Sequence, residues 1–174
     1  MVKKNHLASE KFQQSPCSED ERWMREALNL AHHAASLGEV PIGAIVVKDG
    51  QVIGRGYNRR EIDKNPLAHA ELLAIQEAAK TLGGWRLSGS TLYVTLEPCP
   101  MCAGAIVQSR IDRLVYGAPD PKAGCAGTLM NLVIEPRFNH QAEVVGGILE
   151  EEAAQSLKNF FQTLRAKEKG TFSP

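Results

Sequence analysis

The fold is decided by the stretch Thr91-Leu-Tyr-Val-Thr-Leu-Glu-Pro-Cys-Pro-Met-Cys-Ala-Gly-Ala105. Its first half is rich in β-branched and aromatic residues and, together with Ser90, predicts a strand over residues 90–96. Its second half predicts a helix over residues 98–110, because proline suits the first turn of a helix. A strand followed closely by a helix indicates a sheet with helices packed against it.

The sequence on both sides of this stretch extends the same pattern. Predicted helices cover residues 18–37, 68–82 and 150–165, and predicted strands cover 42–47, 51–57, 113–117 and 143–145. Lys48-Asp49-Gly50 joins the first two strands as a hairpin. We therefore predict a mixed central sheet of about five strands flanked by helices, in a single domain of residues 18–166. Residues 1–17 are predicted to form a flexible N-terminal tail, and residues 167–174 a C-terminal tail.

Composition limits the classes of function. The 174 residues carry a formal net charge of zero, so bulk charge gives no support for a nucleic-acid partner. No segment approaches the roughly 18 to 20 apolar residues of a membrane span. The N-terminus is basic but lacks the apolar run of a secretory signal. Four cysteines, two of them in a C-x-x-C, favour a metal or redox site over a disulfide framework. We expect a cytoplasmic protein without a membrane partner.

The chemistry is carried by a split motif, His69-Ala-Glu71 and Pro98-Cys-Pro-Met-Cys102. Cys99 and Cys102 are three residues apart, so they share one helical face and can reach one ion. With His69 they form a ligand set suited to Zn²⁺, and three protein ligands leave the fourth position open. A redox C-x-x-C is the alternative, but thiol exchange needs neither His69 nor Glu71. A structural zinc site closed by Cys125 as the fourth ligand is a second alternative.

The spacing of His69 and Glu71 predicts where their helix begins. Two residues apart within a helix, their side chains would point about 200° apart. Both can face one ion only if His69 opens the helix, so this start is favoured over an earlier start with Pro66 in the first turn.

The motif then indicates a reaction class. Zinc can lower the pKa of a water to about 7 and so supply hydroxide at neutral pH. Glu71 can accept a proton from that water and return it to a leaving group. We interpret the site as one for hydrolytic deamination, with zinc-activated hydroxide and with Glu71 as the proton shuttle.

These residues resemble the signature of zinc nucleobase deaminases. The stretch 91–105 and the strings Val40-Pro-Ile-Gly-Ala44, Gly56-Tyr-Asn58 and Asp120-Pro-Lys-Ala-Gly-Cys-Ala-Gly127 are similar to those of bacterial tRNA-specific adenosine deaminases. The resemblance extends from about residue 18 to residue 165. It implies a three-layer, cytidine-deaminase-like α/β fold, one Zn²⁺ per subunit, a homodimer, and conversion of adenosine to inosine at the wobble position of a tRNA anticodon.

The resemblance also implies roles for individual residues. It assigns His69, Cys99 and Cys102 to the metal and Glu71 to catalysis. Asn58 would hydrogen-bond the flipped base and Ile42 would line the base pocket. The positions implied to hold the anticodon loop are Lys122, Asn139, Phe161 and Arg165.

Charge near the motif partly supports an RNA partner. Basic clusters lie between the hairpin and His69 and at the C-terminus: Arg55, Arg59, Arg60 and Lys64, then Lys158, Arg165, Lys167 and Lys169. They could instead be solvated surfaces. The other candidate side chains have structural interpretations: Cys17 is idle, His32 and His33 lie on a helix surface or in the core, His140 positions its loop, and Phe160 packs in the core.

Two other functions remain open on the sequence alone. The chain could deaminate a free base or nucleoside such as guanine or cytidine, although a small neutral substrate needs no basic helix to hold phosphates. It could also be a non-catalytic, zinc-stabilised RNA-binding module, which would not need Glu71.

Overall fold

The hairpin forms as predicted, from β1 (Gly43–Lys48) and β2 (Gln51–Tyr57). Asp49 and Gly50 between them have φ of 49° and 69°. Two successive positive φ values make the turn that best matches the twist of a two-residue hairpin. The Asp-Gly pair therefore sets the register of the first two strands.

The computed structural model describes residues 18–170. The remaining elements are α1 (Glu19–Ser36), α2 (Ala70–Leu82), β3 (Ser90–Leu96), α3 (Pro100–Ser109), β4 (Arg113–Ala118), β5 (Glu143–Val145) and α4 (Glu150–Gly170). The predictions for Cys17 and for the tail of residues 1–17 lie outside the described residues, as do residues 171–174.

The five strands form one mixed sheet in the order β2-β1-β3-β4-β5. β1 pairs antiparallel with both β2 and β3, whereas β3, β4 and β5 run parallel. Side chains alternate along each strand, so each buried strand contributes to both faces. Ala44 and Val46 lie in one apolar cluster with α2 and α3, and Ile45 and Val47 lie in another with α1 and α4. The result is three layers, with the sheet in the middle.

Glycines in the hairpin let the helices lie directly on the sheet. A Cβ added at Gly43 would lie 2.1 Å from the Ala27 carbonyl oxygen of α1. A Cβ added at Gly56 would lie 2.1 Å from the Ala70 carbonyl oxygen of α2. Neither glycine has a positive φ, so close approach of the helix backbone is what requires them.

Helix ends follow local signals where such signals exist. Ser18 and Glu21 form the predicted capping box of α1, and Gly83 ends α2 with φ of 69°. Two predictions were wrong. α3 begins at Pro100 rather than residue 98, because Pro100 takes the first helical position and Cys99 becomes the N-cap. α4 continues to Gly170 rather than ending at residue 165, so residues 167–170 of the predicted C-terminal tail are helical.

Candidate active site

The start of α2 presents His69 and Glu71 to the same region. His69 is the N-cap, with extended backbone at φ −81° and ψ 149°, and Ala70 is the first helical residue. Before it, Asn65 accepts the backbone N–H of Leu67 with its side chain and that of Ala68 with its carbonyl, so this segment is a turn. The prediction that His69 opens the helix is confirmed, and a start at Pro66 is excluded.

The start of α3 places the two cysteines in one turn. Cys99 is the N-cap and Pro100 follows it at the first helical position. Cys102 is the third helical residue and is fully buried. Cys99, as the N-cap, lies at the positive end of the helix, and this position favours its thiolate form.

The two helix starts bring one nitrogen and two sulfurs together. The His69 Nδ1 atom lies 3.7 Å from Cys99 Sγ and 3.5 Å from Cys102 Sγ. All three atoms lie within 4.8 Å of one another. For a tetrahedral zinc ion with ordinary Zn–N and Zn–S bonds, the expected N···S separation is about 3.6 Å. The donor set and its spacing therefore fit zinc.

The pKa values of the three candidate ligands are shifted in different directions. The pKa of Cys99 is lowered to about 4, first by a hydrogen bond from the Cys102 thiol and then, against the cost of burial, by His69. The pKa of Cys102 is raised by the same hydrogen bond and by burial. The pKa of His69 is raised, chiefly by its contact with Cys99. The triad thus holds one thiolate and one thiol, and binding a divalent metal would displace the thiol proton.

Glu71 lies beside this triad with a carboxyl group shielded from water. Its side chain is 4% exposed, and burial raises its pKa to about 7. The carboxyl group also contacts the Cys102 thiol, which in turn lies beside His69. A carboxyl that titrates near neutral pH can both accept and donate a proton, as a general acid and base must.

A small cavity opens onto His69 and Glu71. Its other walls include the predicted base-pocket residues Ile42 and Asn58, with Arg60 at the same opening. The cavity has a volume of about 70 Å³. Four of the residues proposed for the site thus share one cavity, although they come from three separate segments of the chain.

Two buried carboxylates near the site were not found from the sequence. Glu97 accepts the backbone N–H groups of Asp120, Ala126 and Thr128, so the loop after β4 folds around it. Glu39 accepts the backbone N–H of Ile62 and a side-chain N–H of Asn58. Their partners are 19 to 31 residues away in sequence, and no local pattern marks such contacts. The sequence offered one signal for Glu97: it lies between the end of β3 and the candidate ligand Cys99, a position from which a side chain can reach the site.

The four residues implied to hold the anticodon loop do not line the cavity. Lys122 and Asn139 are exposed on the loops between β4 and β5, and Phe161 and Arg165 are exposed on α4. The structure does not bring them together with Glu71, and their roles stay predictions.

Arg59, from the first basic cluster, forms an ion pair with Asp63 at 2.8 Å.

Cys125, His140 and His33 lie outside the ligand group and take structural positions. Cys125 is buried in the apolar cluster and is not part of the ligand group, so the closed-site alternative has no support. His140 contacts the Ile111 carbonyl oxygen at 2.7 Å, and His33 packs edge-on against Tyr57. Phe160 is only partly buried, so the expected core position was wrong; it lines a groove between α1 and α4 with His32.

Comparisons with known proteins give the family. The MafB19-like deaminase family matches residues 18–165. The tRNA-specific adenosine deaminase of Bacillus subtilis is 59% identical over 152 residues, which cover 87% of this chain and 94% of the relative. The chain belongs to the tRNA-specific adenosine deaminase family.

Solved structures of related deaminases share the fold. One, from work on A-to-I editing by tRNA:A34 deaminases at the wobble position, is 46% identical with a TM-score of 0.75. It covers 78% of this chain and 99% of its own. The guanine deaminase of Nitrosomonas europaea is 25% identical, with a TM-score of 0.72 over 84% of this chain and 86% of its own. The predicted three-layer, cytidine-deaminase-like fold is confirmed.

Among the described residues, no helix is both long and apolar enough to cross a bilayer.

Proposed function

We propose that this deaminase converts adenosine to inosine at the wobble position of a tRNA anticodon by hydrolysis. His69, Cys99 and Cys102 would hold one Zn²⁺, and Glu71 would move the protons. The observation that carries the proposal is the convergence of the buried Glu71 carboxyl with the three metal-ligating atoms. A plain structural metal site would have no use for that carboxyl.

The residues divide the reaction between them. His69, Cys99 and Cys102 would hold a zinc ion, which would act as a Lewis acid and lower the pKa of a water to about 7. Glu71 takes a proton from the attacking water and returns a proton to the leaving amino group. Water and adenosine thereby give inosine and ammonia.

The base would enter the cavity beside Glu71. Ile42 supplies an apolar wall, and Asn58 supplies a polar side chain with fixed orientation. An anticodon base must be extruded from its loop to reach such a cavity. Lys122, Asn139, Phe161 and Arg165 are proposed to hold the surrounding loop.

Two further properties are expected from the resemblance of the sequence to its family. We propose that the protein is cytoplasmic, where transfer RNA is available, and that it acts as a homodimer. Light scattering of the zinc-loaded chain at several concentrations would test the dimer, and a monomer at all concentrations would contradict it.

A single assay tests which substrate the protein deaminates. The zinc-loaded chain is incubated with an anticodon stem-loop that has adenosine at the wobble position. A matched stem-loop carries its only loop adenosine one position further on, and free adenosine, cytidine and guanine are tested separately. Inosine in the first RNA alone supports the proposal. Turnover of free bases or nucleosides alone would favour the rival class, to which the Nitrosomonas guanine deaminase belongs. No product in any reaction would favour an RNA-binding module.

Two variants test the division of roles. Glu71→Ala should keep stoichiometric zinc but lower turnover by about 10² to 10⁴-fold, the usual worth of a general acid–base group. Cys99→Ala should lose the zinc itself. Zinc is measured by atomic spectrometry and inosine by mass analysis of digested RNA. Turnover retained in Glu71→Ala would rule out the proposed shuttle.

A further inference from the structure

Glu39 is a buried carboxylate that neither the metal triad nor the proton transfer uses. It is 1% exposed, and it follows directly after the end of α1. Burying a carboxylate is costly unless hydrogen bonds satisfy its oxygens. One oxygen accepts the backbone N–H of Ile62 at 2.7 Å, and the other accepts the side-chain amide of Asn58 at 3.3 Å. Glu39 therefore connects α1 to the wall of the substrate cavity.

The backbone of Glu39 is itself fixed. Gly38, with φ of 84°, ends α1, and its N–H bonds to the Ala35 carbonyl. The Glu39 N–H bonds to the Ala34 carbonyl, completing a Schellman motif. The carboxylate is consequently presented from a helix end whose geometry is determined by its own hydrogen bonds.

This arrangement decides which way the Asn58 amide points. A carboxylate only accepts hydrogen bonds, so the NH₂ group of Asn58, and not its oxygen, must face Glu39. The Val40 carbonyl oxygen, 3.4 Å from the same nitrogen, requires the same orientation. On the other side, the Asn58 oxygen accepts the backbone N–H of Arg60 at 3.4 Å. Three neighbours thus agree on one of the two amide orientations.

We propose that Glu39 is a positioning residue that fixes the amide orientation of Asn58, and thereby the donor and acceptor pattern that the cavity offers to the target base. The inference rests on the proposed function, in which Asn58 contacts that base. Glu39 does not touch the substrate. It acts through the single amide group that lies between it and the cavity.

The substitution Glu39→Gln tests this without changing the shape of the side chain. Glutamine offers one acceptor and one donor, whereas Ile62 N–H and the Asn58 amide require two acceptors. If the acceptor stays on Ile62, the new NH₂ group faces the NH₂ group of Asn58. Asn58 can relieve this contact only by turning over, which reverses the polarity that it presents to the base.

The readout is the part of RNA affinity that depends on the target base. All variants carry Glu71→Ala, so that bound RNA is not converted. The dissociation constant is measured for a stem-loop with adenosine at the wobble position and for the same stem-loop with an abasic site there. The dissociation constant of the abasic RNA divided by that of the adenosine RNA measures how much the base contributes to binding. Asn58→Ala should lower this ratio by about two- to tenfold, the worth of one hydrogen bond.

The proposal requires a specific relation between the variants. Glu39→Gln should lower the ratio to a similar degree and leave affinity for the abasic RNA unchanged. The double variant Glu39→Gln/Asn58→Ala should be no worse than Asn58→Ala, because both act on the same contact. Glu77→Gln is the matched control: its exposed carboxylate also accepts a backbone N–H, that of Arg55 at 3.2 Å, but lies outside the cavity. It should leave the ratio unchanged.

Three results would overturn the proposal: an unchanged ratio in Glu39→Gln, losses that multiply in the double variant, or equal weakening for both RNAs. The last would mean that Glu39 merely stabilises the fold. Glu39→Asp keeps both acceptors on a shorter side chain and gives a second reading if Glu39→Gln does not fold. It too should lower the ratio while sparing the abasic RNA, and an unchanged ratio would count against the proposal. A parent protein that binds both RNAs equally would overturn the proposed function together with this inference.

Discussion

Gly56→Ala should weaken metal binding at the candidate site, although Gly56 is not itself part of that site. Gly56 lies in β2 under the first turn of α2, and its added Cβ would meet the Ala70 carbonyl oxygen at 2.1 Å. Ala70 directly follows His69, one of the three proposed zinc ligands. Gly54→Ala is a matched change on the same strand, because its Cβ would meet the Ala74 carbonyl oxygen at 2.2 Å. That contact lies one helical turn further from the ligand.

The size of the effect follows from these distances. Ordinary contact begins at 3.4 Å, so each alanine is more than 1 Å too close to the helix backbone. Overpacking of this kind costs about 1–3 kcal/mol of folding free energy, and both variants should lose a similar amount. At Gly56 the displacement also moves His69 away from sulfurs that now lie 3.5 and 3.7 Å from its ring nitrogen. Zinc affinity should fall about 10- to 100-fold, as when supporting contacts of a metal ligand are lost.

The assay separates these two effects. Urea unfolding of the metal-free proteins gives the folding free energy, and competition with a chromophoric chelator gives the zinc affinity. We expect similar destabilisation in both variants, with weakened zinc binding mainly in Gly56→Ala. Wild-type zinc affinity in a destabilised Gly56→Ala would refute the reasoning, as would equal loss of affinity in Gly54→Ala.

Three other outcomes are expected. Cys102→Ser should lose zinc whereas Cys125→Ser keeps it, as measured by zinc per chain; loss in both would put Cys125 in the metal site. Arg113 forms a paired contact with Asp20 at 2.7 and 2.9 Å and is the main reason that the pKa of Asp20 is lowered. Because the lowered pKa belongs to the folded state, this stability is present above the usual pKa and is lost as pH falls through the lowered one. Asp20→Asn should therefore cost about 1 kcal/mol at neutral pH. In urea titrations its difference from wild type in free energy of unfolding should shrink as pH falls through and below the usual range of an aspartate; a difference that stays constant with pH would contradict this. Arg165→Ala should reduce the salt slope of RNA binding by about one, and an unchanged slope would remove Arg165 from the interface.

The sequence predicts best where structure is local. The Asp49-Gly50 turn, the Ser18 capping box and the Gly83 helix end each depend on residues within a few positions, and all three form. The start of α2 was predicted for a different reason. The proposed chemistry requires His69 and Glu71 to face one ion, and two residues this close can do so only where a helix begins. The proposed function therefore located the helix start, which helix propensity alone does not.

What could not be predicted depends on contacts between distant segments. Glu39 and Glu97 look like ordinary charged residues until the fold surrounds each of them with amide groups. The end of α4 was missed because the residues after Arg165 include Lys167, Glu168 and Lys169, so no apolar period marks how far the helix continues. The helix α3 was predicted to begin at Pro98, but Cys99 has extended backbone as the N-cap and Pro100 takes the first helical position.

The position of β3 at the centre of the sheet has a consequence for biosynthesis. β3 leads directly to Cys99 and Cys102, and its two neighbours are made at very different times: β1 before it and β4 after it. His69 leaves the ribosome first, yet its ring can meet the sulfurs only when β3 has paired beside the finished hairpin. Before β4 pairs with β3, a growing chain carries two thiols without a stable partner for them. We therefore expect metal capture to be a late event of synthesis, with a preceding interval in which the thiols are most open to oxidation.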